Sequence, residues 1–600
     1  MIGVIPKADQ IAVAEEFFQL FKTPWEIYEP GRTYDVVVAT TDEIPEVDTR
    51  LLLIYGSETK SSDSRNGIGV SSRRRGGPVD QGGRALPIYG ELLTFEGRGA
   101  CIPCVTADGG VAGLKFRSGD TTVMRLGYDL FQEVHFLLSE GQPLDNAHIP
   151  TLDIHIKMLR EWILNAGVAL LEIPPAPAGH SFVVCLTHDI DFVGIRNHRF
   201  DHTMWGFLYR STVGAIRNLF RGRISIPRLF KIWRAALSLP FVYLGWAKDF
   251  WEPFEWYLRV EKNLPATYFF IPFKRQPGEN VSARHVSRRA TAYDIADIPQ
   301  WTTTLMKEGC ELGVHGIDAW HNVGKGRDEL ARIAGVTGES RVGIRMHWLL
   351  RDGNTFRVLE EAGYAYDSSV GYNETVGYRS GTSQTFRPLG VQALLELPMH
   401  IQDGALFYPQ RLDLSEAEAW KRCEGLIDNA KKFGGVLTVL WHDRSHGAER
   451  FWGDFYVRLV QALRSLDAWF GTATQVVGWF RKRREVRFER VEAADGTART
   501  CVRNYDEEIQ PPLNIRVHHP CTGTNEEASL CETTSKFVDI PWKGETAVEL
   551  DELLLRVSDF SAKPTGIERG SEAGDVWHQK ERSEERRVGK ECRSRWSPYH

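Results

Sequence analysis

Cysteine is scarce in this 600-residue chain: nine residues, an odd number, are scattered from Cys101 to Cys592. Cys185 and Cys310 lie inside apolar runs, so no disulfide framework is expected. Cys101 and Cys104 make a single CxxC without a second pair, and a structural role is expected for them. Charge of one sign is also lacking. The formal net charge of −6, from 73 Lys+Arg against 79 Asp+Glu, argues against nucleic acid as a partner. Long apolar runs are missing too: Ala235 to Ala247 falls short of the ~20 residues a membrane span needs and contains Pro240. The opening MIGVIPKADQ has no basic region followed by an apolar one, which points away from secretion and toward the cytoplasm. Around the basic triplet of SSRRRGG (71–77) stands neither a Walker pattern nor a strand-to-helix GxGxxG, so this stretch reads as a solvated loop.

What is present is ordinary globular composition, 42% hydrophobic and 25% charged, at a length that suggests roughly three or four domains, fewer if one is a barrel. Residues 1–172 read as an N-terminal α/β region. Helical spacing runs from Ala8 to Lys22, and strands are expected at Tyr34 to Thr40 and Leu51 to Tyr55. A Ser/Arg/Gly/Pro-rich loop is expected from Gly56 to Gly99, and helix from Asp129 to Ala166 with its second half opening at Pro150 and Thr151. The Pro-rich stretch 173–180 reads as a stiff linker to the main domain, 181–485. There, strands expected at Phe182 to Leu186, Ala266 to Ile271, Glu311 to His315, Val342 to Trp348, Tyr364 to Ser368, Leu394 to Ile401, Val436 to His442 and Thr472 to Val477 alternate with helices. Repeated βα units imply a parallel sheet, most economically closed into a barrel.

One connection breaks this rhythm. Residues 192–246 are long and basic, with nine Arg or Lys from Arg196 to Arg234 interleaved with aromatics and Asp201 as the single acid. Such a segment suits an interfacial helix or an anionic ligand, and it equally suits a helical cap with a solvated basic face. Residues 486–560 read as a small β module. Residues 561–600 read as a disordered tail whose end, from Glu581, resembles translated vector sequence.

The strand ends carry the chemistry. SFVVCLTHDIDFVG delivers Asp189 and Asp191, ELGVHGIDAWH delivers His315, GIRMHW delivers Arg345 and Trp348, YAYDSS delivers Asp367 and VLTVLWHD delivers His442. Carboxylate and imidazole ligands suit a divalent ion with one position open for water. With these motifs in this order, residues 181 to about 480 resemble the polysaccharide deacetylase (NodB-homology) family. The resemblance implies a distorted (β/α) barrel that removes an N-acyl group, acetyl above all, from a saccharide or its precursor. It implies Asp189 as general base, Asp191 and His315 as metal ligands, and Arg345 as the group that orients the base. It further implies Asp367 as a supporting carboxylate, His442 as general acid, and Trp348 and Trp441 as pocket walls. Position 319, where the second histidine of that family's motif falls, is Ala, so the third ligand is expected at His321 or alternatively Asp318. His347 stands where that family usually has proline, and it and Asp367 read equally well as structural hydrogen-bonding groups. The expected metal is zinc, with cobalt or nickel as alternatives. Two other readings stand beside this one: a non-sugar amide hydrolase of the same fold, and an inactive carbohydrate-binding barrel favoured by Ala319. The expected partners are an N-acylated saccharide, lipid-linked in one reading, and the inner membrane face, met peripherally through 192–246. The oligomeric state is left open.

Overall fold

Fully buried apolar runs set the first layer of the computed structural model, which describes residues 1–97, 101–279, 289–450, 452–492, 498–504, 508–520, 536–544 and 548–549. Strands β1 (Ile2–Ile5), β2 (Trp25–Ile27), β3 (Val36–Ala39) and β4 (Leu51–Tyr55) pair in parallel, as IGVI, VVVA and LLLIY suit strands covered on both faces. The helix Ile11–Phe21 buries Val13, Phe17, Phe18 and Phe21 in the core they share. Five further strands, β5 (Ile68–Gln81), β6 (Arg84–Gly97), β7 (Ile102–Ala107), β8 (Gly110–Ser118) and β9 (Thr121–Leu126), complete a nine-stranded sheet in the order β2-β1-β3-β4-β9-β8-β6-β5-β7.

The loop expected from Gly56 to Gly99 is therefore largely a long hairpin. Gly82 and Gly83, with φ of +60° and +83°, supply the two left-handed residues of its two-residue turn, and Arg73 and Arg75 of the basic triplet lie exposed on its first strand. Helices Leu130–Ser139 and Thr151–Asn165 follow as expected.

Residues 173–177 are buried and do not behave as an exposed linker. Gly435 N donates to Pro175 O at 2.9 Å and Ile173 N to Lys22 O at 2.9 Å, so the segment is stitched to both flanking regions. Arg483 closes this seam. Its guanidinium is buried and donates to the carbonyls of Ile173, Pro174, Gln19 and Leu20.

The main sheet is wholly parallel. After β10 (Leu170–Glu172) come β11 (Phe182–Ile190), β12 (Ala266–Phe270), β13 (Glu311–Gly316), β14 (Ile344–Met346), β15 (Tyr366–Asp367), β16 (Leu395–Glu396), β17 (Ile401–Gln402) and β18 (Val436–Leu440). Their order is β16-β15-β14-β13-β12-β11-β18-β17 and the two outer strands do not pair, which makes an open half-barrel. A ninth strand, β19 (Ala468–Phe470), pairs with Phe182–Val184 of β11, just before the point where β12 joins. Thr472 to Val477, expected as a strand, is instead the start of the helix Ala473–Glu485. Thr472 and Gln475 form a capping box there, with the reciprocal bonds at 2.9 and 3.3 Å.

The strands expected beyond Arg484 are present as β20 (Arg487–Glu492), β21 (Ala498–Arg503), β22 (Leu513–His518) and β23 (Phe537–Trp542), with β24 (Val548–Glu549) added. They do not form one module. β20, β21 and β24 make one sheet, whereas β22 and β23 build another on β10, a strand of the N-terminal region. Residues 1–550 accordingly form a single compact unit, and the expected tail lies outside the described residues.

Arg483→Ala leaves buried carbonyls unpaired across the seam and is expected to destabilise the protein by about 3 kcal/mol, read as a lowered Tm, whereas alanine at the exposed Arg73 leaves Tm unchanged.

Candidate active site

Pleat parity decides which strand-end residues meet. Residues paired across a parallel ladder point to the same face, and the registers place His315 level with Arg345, and Asp189 level with Phe269. Arg345 is fully buried. It donates from Nη1 to Asp189 Oδ1 at 3.0 Å and to Thr187 Oγ1 at 2.8 Å, and from Nε and Nη2 to the carbonyl and hydroxyl of Ser368 at 3.0 and 2.8 Å. The Phe269 ring lies 4.6 Å from its guanidinium carbon. The carboxylate of Asp189 is thereby fixed on one oxygen while the other faces His315.

Asp191, His315 and His347 bring three donor atoms within 4.8 Å of one another, and no other such group occurs among the described residues. The carbonyl of Arg345 can only accept, so the 3.0 Å contact from His315 Nδ1 places the ring proton there. His315 Nε2 then turns its lone pair toward Asp191 Oδ1 at 3.5 Å and Asp189 Oδ2 at 3.8 Å. His347 Nε2 stands 3.5 Å from the same Asp191 oxygen, which is buried and has no hydrogen-bond donor among the described residues. The His315 lone pair facing a carboxylate is repelled unless a cation or a proton lies between them, and with His347 Nε2 beside both this donor set suits a divalent ion. Burial pushes the His347 imidazole down to about 3, the neutral state that ligation requires. For Asp191 burial acts upward, but His315, His347 and His442 outweigh it and hold the carboxyl well below the usual range.

His442 follows β18 and is held by Asp403, whose Oδ1 lies 2.5 Å from His442 Nδ1 and whose Oδ2 accepts from His442 N at 2.8 Å and from the Ser445 hydroxyl. Burial acts to lower the imidazole, yet Asp403, then Asp191 and Asp189, push it up to about 10. Asp403 was not anticipated. It closes the run LELPMHIQD, a strand ending in a carboxylate like the others, and that was its only signal.

The remaining expected residues lie elsewhere. His321 is outside the donor group: its Nε2 is 3.5 Å from Asp318 Oδ1, and Asp318 Oδ1 accepts from Glu279 N at 2.8 Å. The cause is Glu329, whose carboxylate accepts from Ile317 N and Asp318 N at 3.0 and 2.8 Å and draws this loop onto the helix Val323–Thr337. Asp367 is level with Ile344 and so faces away from Arg345. Its Oδ1 accepts from Ser369 Oγ at 2.5 Å, and burial raises both it and its neighbour Glu396. Trp441 is fully buried, stacked on Phe455 at 5.9 Å, and belongs to the core. Trp348 does border the site, 5.5 Å from His347, with a left-handed φ of +65° that is costly for an aromatic residue. His188, the second residue of THDID, is buried on the opposite face of the strand and pairs with Glu261 at 2.8 Å.

No protein-family model matches the chain, and no curated protein matches it. Among solved structures it is similar to a protein designated a polysaccharide deacetylase from Mycobacterium smegmatis, at 18% identity over 52% of this chain and 95% of that one, with a TM-score of 0.30. It is similar to a probable polysaccharide deacetylase from Pseudomonas aeruginosa PAO1, at 14% identity over 52% and 94%, TM-score 0.31. It is also similar to PuuE allantoinase, at 14% identity over 51% and 92%, TM-score 0.29.

Plasma mass spectrometry of protein reconstituted with zinc is expected to find about one ion per chain, lost in His315→Ala and in His347→Ala and retained in His321→Ala. Retention in His347→Ala with loss in His321→Ala would restore the ligand set expected from the sequence.

Proposed function

We propose that residues 181–485 form a metal-dependent hydrolase that removes an N-acyl group, acetyl in the simplest case, from a saccharide or saccharide precursor. One observation carries this reading. Three metal-type donors converge beside a carboxylate aimed by an arginine, and a histidine aimed by a carboxylate lies within their field. A divalent ion held by Asp191, His315 and His347, zinc by its donor set, would supply Lewis acidity to the acyl carbonyl and acidify a water.

The chain's own groups divide the proton transfers. Asp189, fixed by Arg345 on one oxygen, accepts the proton of the attacking water on the other. His442, kept as imidazolium by Asp403, donates to the amide nitrogen as the C–N bond breaks, so the amine departs with its proton and the acyl group leaves as the acid. Asp403 also fixes the ring that donates, because both its oxygens are engaged by His442 and Ser445. The reading of an inactive barrel drew its force from Ala319. In this proposal His347 fills that gap from the next strand end.

Acetate release from N-acetylated oligosaccharides tests the reading. Asp189→Asn is expected to lower kcat by roughly 10²- to 10⁴-fold with metal content unchanged. His442 is charged below about 10, so the wild-type rate holds to alkaline pH. In Asp403→Asn its main support is gone and the ring titrates closer to ~6.5, so the rate drops between pH 6 and 8. Release from a cyclic ureide with none from any saccharide would instead identify a small-amide hydrolase.

A further inference from the structure

Of the nineteen large hydrophobic side chains that are exposed among the described residues, thirteen lie between Phe200 and Trp246. On the helix Ile226–Tyr243 they recur at Ile226, Phe230, Trp233, Leu237 and Phe241, intervals of three and four that make one continuous face. The opposite side of the same helix is already spent, with Leu229, Ile232, Leu239 and Val242 buried. A solvated helix carries polar residues on its outer face; this one is apolar on both. The preceding helices add a second row, Trp205, Tyr209, Val213, Ile216 and Phe220, and Phe220 and Trp246 are 86% and 76% exposed.

The charges bordering these rows choose the occupant. Arg217, Arg221, Lys231 and Arg234 are exposed with no ion pair among the described residues, and Asp201 is the only acid between residues 192 and 246. A second copy of the chain seated face to face would set these cations against one another. A bilayer of anionic lipid takes aromatic tips into its interface and cations at its headgroups. Among the described residues no helix is long and apolar enough to cross a membrane, so the contact is monotopic. We propose that residues 200–246 form a docking surface for an anionic bilayer. Because the segment leaves β11 directly after Asp191 and packs Ile195, Met204 and Phe207 on Trp251, docking brings the strand-end site to the membrane surface.

Sedimentation of the full-length protein with phosphatidylglycerol-containing vesicles tests this without reference to turnover. Binding is expected, weaker to pure phosphatidylcholine, and lowered at least about tenfold in Phe220→Ser/Leu237→Ser/Trp246→Ser. Arg217→Gln/Arg221→Gln/Lys231→Gln/Arg234→Gln is expected to lose the lipid preference. Metal content stays unchanged in both variants. Absence of wild-type binding would overturn the proposal, as would a solution dimer that the triple serine variant converts to monomer.

A separate observation carries a second inference. Arg210, Arg444 and Arg450 gather around Tyr408 near His442. Arg450 Nη1 donates to the Tyr408 hydroxyl at 2.6 Å, its guanidinium carbon lies 4.8 Å from the Trp452 ring, and that of Arg444 lies 3.7 Å from the Phe192 ring. The nearest carboxylate to Arg210 is Glu449 at 4.0 Å, and its Oε1 already accepts from Trp251 Nε1 at 3.0 Å. Arg210 Nε and Nη2 and Arg450 Nε are covered yet have no acceptor among the described residues. Covered guanidinium nitrogens without acceptors are costly, and these three, on two adjoining forks with the Arg444 cation beside them, call for an oxyanion. We infer that this cluster binds a phosphate group. That group belongs to the substrate if the hydrolase reading holds, but its binding is measurable without turnover. Inorganic phosphate is expected to raise the Tm of the full-length protein and to leave that of Arg210→Ala and Arg444→Ala unmoved. Arg210→Ala alone is expected to stay folded, because it removes like-charge crowding and no hydrogen bond, only the 4.0 Å ion pair to Glu449. An equal phosphate response in both variants, or none in wild type, would overturn the assignment.

Discussion

A guanidinium with no exposed surface sits in the middle of the half-barrel, and the candidate site depends on how its donors are spent. Arg345 reaches Thr187 and Asp189 on β11 and Ser368 after β15, and lies against Phe269 on β12. Burying such a charge costs several kcal/mol unless it is paired and its remaining protons are satisfied, and here all three nitrogens find acceptors. The same residue's carbonyl takes the Nδ1 proton of His315. One buried arginine thus orients the carboxylate proposed as base with its side chain and a candidate metal ligand with its backbone. Neither has to be ordered when a substrate arrives.

The seam below the barrel obeys the same logic on a larger scale. A proline-rich stretch has few backbone donors, so burying it leaves carbonyls in search of partners. Arg483 meets two of these needs, at residues 173 and 174, and takes two further carbonyls from the end of the helix Ile11–Phe21. With β10 drawing β22 and β23 onto the N-terminal region, the chain ends up folded across itself, so the boundaries suggested by composition do not correspond to separable bodies.

How much of this was legible follows from the range of each signal. The strand ends were readable because an apolar β-branched run that stops at a charged residue is a local pattern, and Asp189, Asp191, His315, Arg345 and His442 all emerged from it. Which face a strand-end residue takes is decided by register with a neighbour distant in sequence. That is why Asp367, level with Ile344, and His347, just past β14, exchanged their expected positions relative to the site. Spacing from His315 along the chain points to His321, whereas Glu329, eleven and twelve residues beyond the amides of Asp318 and Ile317, bends that loop. The hairpin at Gly82 and Gly83 and the capping box at Thr472 were local signals too. They lost to a composition rich in Ser, Arg and Gly in one place and to an apolar Val-Val pair in the other.

Two histidines just past strands of one sheet, β14 and β18, are driven to opposite charge states. Among the described residues His347 has no carboxylate of its own beyond the shared oxygen of Asp191, and burial leaves it neutral. His442 has Asp403 bound at both ring and backbone, and it stays charged up to about 10. Identical side chains set so far apart by their surroundings are suited to different work, one to offer a lone pair and the other a proton. A core that needed only to be filled would have no use for that separation, which Asp403 maintains at the cost of burying its own carboxylate.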